Sequence, residues 1–334
     1  MESINVLVSG AINAAIGEEC LRQISSISPR MKLTDISDLS RAAYRGDPAS
    51  KEKLDVLLAD TEVIFGGRLP QNVITRAPRL KWVQVMSAGV EGFLDTDMIA
   101  SPVVLTNVSG IHATPISEFV LALMLMFVKQ APLSFQMKQE KQWRRLTPTV
   151  LRSKTVGIVG LGSIGREVAR LAQAFDMRVL ATRRSAKEVG RARYVDIMLP
   201  QSQLRELLGE SDFVVLAVPL TPETRKLIGE EELRSMKPTA YLINIARGGI
   251  VDEPVLIRAL DEHWIAGAGL DVFATEPLPA DSRLWELPNV ILSPHISGAA
   301  EDYVLRATEI FLENLRRYLN GKKLLNVVDK KKGY

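Results

Sequence analysis

Cys20 is the only cysteine in the sequence, so no disulfide can form within the chain, and no cysteine–histidine grouping has zinc-ligand spacing. No metal is therefore expected, and the reducing cytoplasm is the expected location. The opening residues, Met1 to Val8, lack the basic stretch of a signal peptide and start directly in a strand-like pattern. Long hydrophobic runs are also missing: the longest, Phe119 to Val128, is about half of what crosses a bilayer and reads as a buried helix, so no membrane partner is expected. Charge is nearly balanced, with 42 Lys and Arg against 39 Asp and Glu for a net +3. No basic stripe is interleaved with aromatics, which argues against a nucleic-acid partner. Histidine is scarce, with only His112, His263 and His295. Any chemistry that needs an imidazole has three places to look.

What remains is an ordinary globular composition, 46% hydrophobic and 24% charged, over 334 residues. That is enough chain for two domains, each with its own core. In the first hundred residues strand-like stretches at 4–9, 31–36, 63–65 and 80–86 alternate with helical patterns, predicting a small α/β unit. A helix is predicted over 116–130, with Thr114 as its cap and Pro115 at the first helical position. A last amphipathic helix is predicted over 300–320.

The most specific local pattern begins at Lys154. A short apolar strand runs to Val159, then come Gly160, Gly162 and Gly165, then helical spacing at Val168, Leu171, Ala172 and Phe175. In a strand–GxGxxG–helix unit the first glycine allows the tight turn, the second lets the backbone approach a pyrophosphate, and the third packs the helix on the strand. Ser163 and Ile164 lie where the helix N-terminus offers free N–H groups to phosphates. The next strand, from Met177 to Ala181, leads to Thr182, Arg183, Arg184 and Ser185. An NAD site usually carries Asp or Glu here for the ribose 2′-OH. Guanidinium groups bind a 2′-phosphate instead, so NADP is the expected cofactor, with NAD possible.

Three further segments follow in order: Asn244 to Gly248 with Arg247, Asp271 to Glu276, and Ser293 to Ser297 with His295. Each follows an apolar strand-like run. Hydride reduction of a ketone leaves an alkoxide that needs a proton donor titrating near neutrality, and histidine suits that role. His263, beside a helix end, reads as structural or exposed, whereas His112, in a loop before a helix, is open to either reading. His295 follows the strand Asn289 to Leu292, where open α/β sheets collect ligands. A carboxylate such as Glu276 would stabilise its imidazolium, and Arg247 could hold a substrate carboxylate in a bidentate pair.

With these residues in this order the sequence resembles the D-2-hydroxyacid dehydrogenase family, over roughly Ile4 to Val328. The resemblance implies two Rossmann-like α/β domains, with the nucleotide domain (103–297) inserted between the two segments of a substrate domain (1–102 and 298–334), and the active site in the cleft between them. It implies Arg247, Glu276 and His295 as the catalytic three. It places Asp271 at the nicotinamide carboxamide, and Val218 and Pro219 at a strand end bordering the cofactor. Ile245, Ala246, Ser297 and Gly298 flank the same cofactor, and the backbone of Ser87, Ala88, Gly89 and Val90 would hold the substrate carboxylate. The expected reaction is NADPH reduction of small 2-oxo acids of the glyoxylate/hydroxypyruvate kind to D-2-hydroxy acids. A homodimer is expected through helix 116–130 and its extension to Trp143, where Met124, Met126 and Met137 supply apolar faces. Formate dehydrogenases of the family carry glutamine where this chain has Glu276. No regulatory domain is expected after Val328. A dinucleotide-sensing corepressor on the same fold is the competing reading, and the sequence lacks the Pro/Ser-rich extensions that recruit partners.

Overall fold

The computed structural model describes residues 3–10 and 17–333. The chain forms two compact units, Met1–Ile111 with Ala300–Tyr334, and His112–Ala299. In the first, five parallel strands, β1 (Ile4–Ser9), β2 (Met31–Asp35), β3 (Val63–Gly66), β4 (Trp82–Val85) and β5 (Val104–Thr106), lie in the order β2-β1-β3-β4-β5. β3 and β4 are buried along their whole length, as strands covered on both faces must be. One face packs Leu7, Ile64 and Val83 against Leu54 and Leu58. The other packs Val6, Phe65 and Trp82 against the last helix, Tyr303–Leu319, through Phe311 and Leu315. Phe65 and Phe311 stack with ring centroids 4.3 Å apart.

The structural division falls at 111/112 and 299/300, beyond the expected crossings at 102/103 and 297/298. The reason is backbone pairing. β5 extends the first sheet, and the Val328 N–H donates to the Leu105 carbonyl at 2.9 Å, tying residues past 103 into this unit.

The second unit holds eight strands: β6 (Thr155–Val159), β7 (Arg178–Arg183), β8 (Gly190–Ala192), β9 (Val195–Pro200), β10 (Phe213–Leu216), β11 (Tyr241–Asn244), β12 (Gly267–Leu270) and β13 (Val290–Leu292). Their order is β13-β12-β11-β10-β6-β7-β9-β8, parallel except for the edge strand β8. The winding reverses between β6 and β10, the crevice where a doubly wound sheet binds its ligand. Helix Ala113–Val128 packs on helix Ser163–Ala174, and Val120, Leu123, Met124 and Phe127 share a core with Val156, Ile158 and Val215.

That first helix differs from expectation at both ends. It starts at Ala113, with His112 rather than Thr114 at the cap. Pro115 therefore sits inside the first turn, where it is tolerated because the first four N–H groups have no intrahelical acceptor. The helix stops at Val128, and after the left-handed Gln130 (φ 55°) a second helix, Ala131–Gln139, sets off at 64°. Met124 and Met137 are buried, so they belong to the core. Among the described residues no single helix is long and apolar enough to cross a membrane. Phe311→Ala should destabilise the first unit by roughly 3–5 kcal/mol, the usual loss for a buried phenylalanine. Calorimetry should show an earlier unfolding transition; an unchanged one would detach the last helix from that core.

Candidate active site

The second unit's sheet delivers its chemistry at the carboxyl ends of consecutive strands. After β6, Gly160 has φ 101°, and a Cβ there would lie 2.6 Å from Val218 Cγ1 and 2.7 Å from the Ala217 carbonyl oxygen. Only glycine fits. A Cβ at Gly165 would come within 2.2 Å of the Gly160 carbonyl oxygen, so the bare backbone lets helix Ser163–Ala174 seat on the turn. Gly162, the cap of that helix, is different, since a Cβ there would meet nothing within 4 Å. The turn is thus open on the side where Ser163, Ile164 and Gly165 begin the helix, and it fits a dinucleotide pyrophosphate.

β7 ends on exposed Arg183, followed by exposed Arg184 and Ser185. The buried Thr182 accepts the Gly160 N–H through its carbonyl at 3.2 Å, which fixes these residues beside the glycine turn. The Glu223 carboxyl is held below its ordinary value, first by a hydrogen bond involving Thr221 and also by the nearby Arg184 charge. Arg193 is engaged elsewhere, its guanidinium lying over the Tyr194 ring. After β10, Val218 packs on Gly160, and the Pro219 carbonyl accepts the Thr224 hydroxyl at 2.7 Å.

At the end of β11 the buried Asn244 staples the next turn. Its Oδ1 accepts the Ala246 N–H at 3.1 Å, and its Nδ2 donates to the Arg247 carbonyl at 3.0 Å. Ile245 and Ala246 are buried, while Arg247 is half-buried and donates through Nη1 to the Ala246 carbonyl at 2.7 Å. After β12, Asp271 is fully buried. Its Oδ1 accepts the Ser293 hydroxyl (2.6 Å) and the Ile296 N–H (2.9 Å), and its Oδ2 accepts the Ser297 N–H (2.9 Å). Its carbonyl takes the His295 N–H at 2.9 Å.

His295 therefore sits in a loop pinned on both sides, with φ 55° in the left-handed region that non-glycine residues seldom occupy. Strain of this kind persists where the surroundings over-determine it. Its Nδ1 faces Glu276 Oε2 at 2.7 Å, and Glu276 Oε1 accepts the Phe273 N–H at 3.0 Å. A carboxylate on Nδ1 selects the tautomer that leaves Nε2 to exchange a proton with a ligand. The imidazole is 48% exposed, so its Nε2 edge is open to solvent or a ligand.

The other histidines separate cleanly. His263 is exposed just past helix Glu253–Asp261. His112 lies against Gly298, where a Cβ would come within 2.8 Å of its ring. Burial, and secondarily the Arg247 charge, push its pKa down to about 4. Neutral at physiological pH, it carries no imidazolium proton to give up.

In the first unit the Ser87–Val90 loop follows β4. Ser87 Oγ donates to the Gly89 carbonyl at 2.6 Å, Asn107 Nδ2 donates to the Ala88 carbonyl at 2.8 Å, and Val90 is buried. Arg68 lies over the Tyr44 ring, 4.1 Å from its centroid. Among the described residues no group of three or more His, Cys, Asp or Glu could hold a metal. Asn244 and Ser293 shape these turns, and in the sequence their only signal is their place beside Arg247 and His295.

Residues 121–297 match the family model described as "D-isomer specific 2-hydroxyacid dehydrogenase, NAD binding domain". A glyoxylate reductase of Korarchaeum cryptofilum is 38% identical, covering 84% of this chain and 87% of its own. The chain belongs to the D-isomer specific 2-hydroxyacid dehydrogenases. Among solved structures, a family member from Aeromonas salmonicida superimposes with a TM-score of 0.84 at 30% identity, covering 98% of this chain and 100% of the other. An NADPH-dependent glyoxylate/hydroxypyruvate reductase from Sinorhizobium meliloti, solved with NADP and sulfate, gives 0.83 at 29% identity, covering 99% and 100%. The fold is that of a two-domain 2-hydroxyacid dehydrogenase, with the nucleotide domain inserted in the substrate domain. The chain is an NAD(P)-dependent oxidoreductase of this family.

The low pKa of His112 sets a pH dependence for this dehydrogenase. A histidine lowered from 6.5 to about 4 leaves stability untouched above 6.5, where both states are neutral. Stability then falls as pH drops, because only the unfolded chain takes up the proton. His112→Gln should flatten the decline of Tm between pH 6.5 and 4; an unchanged slope would show that His112 is not buried neutral.

Proposed function

We propose that this enzyme reduces small 2-oxo acids of the glyoxylate and hydroxypyruvate kind to D-2-hydroxy acids, with NADPH as the preferred cofactor. The His295–Glu276 hydrogen bond carries the reading, since it holds a proton donor on the same edge of the sheet as the glycine turn. The names of the Korarchaeum and Sinorhizobium relatives support the substrate class, and the latter supports the cofactor.

When bound, the reduced nicotinamide supplies the hydride. Gly160, Gly162 and the N-terminus of helix Ser163–Ala174 hold the pyrophosphate, and Arg183, Arg184 and Ser185 hold the 2′-phosphate. Arg247 fixes the substrate carboxylate and polarises the neighbouring carbonyl. His295 protonates the carbonyl oxygen, and Glu276 stabilises the imidazolium before it gives up that proton. The Ser87–Val90 backbone is the proposed substrate loop of the first unit. A homodimer is also proposed, built on the face of helix Ala131–Gln139, where Phe135 is 58% exposed and Trp143 beyond it 99% exposed. A cytoplasmic location and the absence of a nucleic-acid partner are part of the same proposal.

NADPH should exceed NADH several-fold in kcat/KM, and Arg183→Asp should reverse the order; an unmutated enzyme preferring NADH would overturn the cofactor assignment. Glyoxylate and hydroxypyruvate should outperform 3-phosphohydroxypyruvate, because Arg68, engaged with Tyr44, is a thin basis for a distal phosphate site. His295→Ala should lower kcat by roughly 10²–10⁴ while NADPH binding stays nearly intact. Glu276→Gln should also lower kcat while NADPH binding stays nearly intact, since a neutral amide no longer makes the charge-assisted bond that orients the imidazole through Nδ1. An alanine variant that keeps its turnover would show that His295 is not the acid. Inactivity on every 2-oxo acid, with tight NADPH binding, would favour the dinucleotide-sensing alternative.

A further inference from the structure

The turn that carries Glu276 is held at a point the mechanism above does not use. Its Ala274 N–H donates to Glu253 Oε2 at 2.9 Å. Glu253 belongs to a different element, the first residue of helix Glu253–Asp261. An acid in the first helical turn is ordinarily explained by the helix dipole alone. Here one of its oxygens reaches an amide of another loop, a charge-assisted bond stronger than a neutral one.

The same peptide is restrained by contact with Gly248. A Cβ at Gly248 would lie 1.9 Å from the Phe273 carbonyl carbon and 2.4 Å from Ala274 N. The residue after Arg247 must therefore be glycine for the two turns to touch. The Phe273–Ala274 peptide is thus set by the Gly248 backbone and by the Glu253 carboxylate. One residue upstream along that backbone, the Phe273 N–H donates to Glu276 Oε1, which leaves Oε2 for His295. Tilting the peptide would swing the Phe273 N–H and release the Glu276 rotamer.

We propose that Glu253 is a positioning residue for the reaction, orienting the Phe273–Ala274 peptide and, through it, the Glu276 carboxylate toward His295. The proposal rests on the 2-oxo acid reductase reading given above. The role needs a hydrogen-bond acceptor at Ala274 N–H and not a negative charge. Glutamine, with a carbonyl oxygen on a side chain of the same length, satisfies it; alanine does not.

The test compares full-length wild type, Glu253→Ala and Glu253→Gln. Turnover is expressed per NADPH-binding site, so that misfolded protein does not count. Glu253→Ala should lower kcat with glyoxylate by about tenfold to a hundredfold, the scale of small misplacements in an active site. KM for glyoxylate should hold, because Arg247 is untouched, and the solvent deuterium isotope effect on kcat should rise as proton transfer becomes limiting. Hydrogen exchange in the peptide spanning 271–277 should quicken. Glu253→Gln should recover most of the loss in both measurements. Unchanged kcat in Glu253→Ala, unchanged exchange, or a glutamine variant as impaired as the alanine one would each overturn the proposal alone. A wild type that reduces no 2-oxo acid would overturn the functional reading together with it.

Discussion

Asp271 is closed off from solvent, and its two carboxylate oxygens take three hydrogen bonds from the loop after β13. Burying such a group is costly unless its lone pairs are satisfied, so the loop cannot relax without exposing an unpaired acceptor. That constraint holds His295 in its left-handed backbone conformation. The Asp271 N–H donates in turn to the Asn244 carbonyl at the end of β11, so the stations of Arg247 and His295 meet at one residue. Beside the nicotinamide carboxamide role that the family resemblance implies, the same side chain organises the loop that bears His295.

The sheet explains why so few contacts suffice. Parallel strands β11, β12 and β13 are neighbours in strict register, and their carboxyl ends therefore present Arg247, Asp271 and His295 along one edge. The glycine turn after β6 lies on that same edge across β10, where the winding reverses. Backbone hydrogen bonding places the groups to within a few ångströms; the side chains of Asn244, Asp271 and Glu276 do the remaining alignment.

Much of this was legible in the sequence because glycine and strand-end motifs report local geometry. Gly160 and Gly165 sit where no Cβ fits, and the segments bearing Arg247, Glu276 and His295 follow strands as their spacing implied. The start of helix Ala113–Val128 is hard to read because Thr114 and Pro115 are the residue types of a helix start, while the actual cap, His112, makes no side-chain capping bond. β5 and β8 are each three residues long, too short for a periodicity, and β5 decides where the first unit ends. Glu253 was invisible as a site residue because its partner, Ala274, is brought to it only by tertiary packing.

A double-mutant cycle between Asp271 and His295, read as kcat for NADPH-dependent glyoxylate reduction, tests the central claim most directly. Asn at 271 keeps one acceptor but turns an amide N–H₂ toward donors, so it should unseat the loop. If Asp271 acts by seating His295, Asp271→Asn should be costly alone and add almost nothing once His295 is alanine, since residues that act as a unit are non-additive. Losses that multiply in the double variant would show that Asp271 and His295 work independently, and would contradict the account.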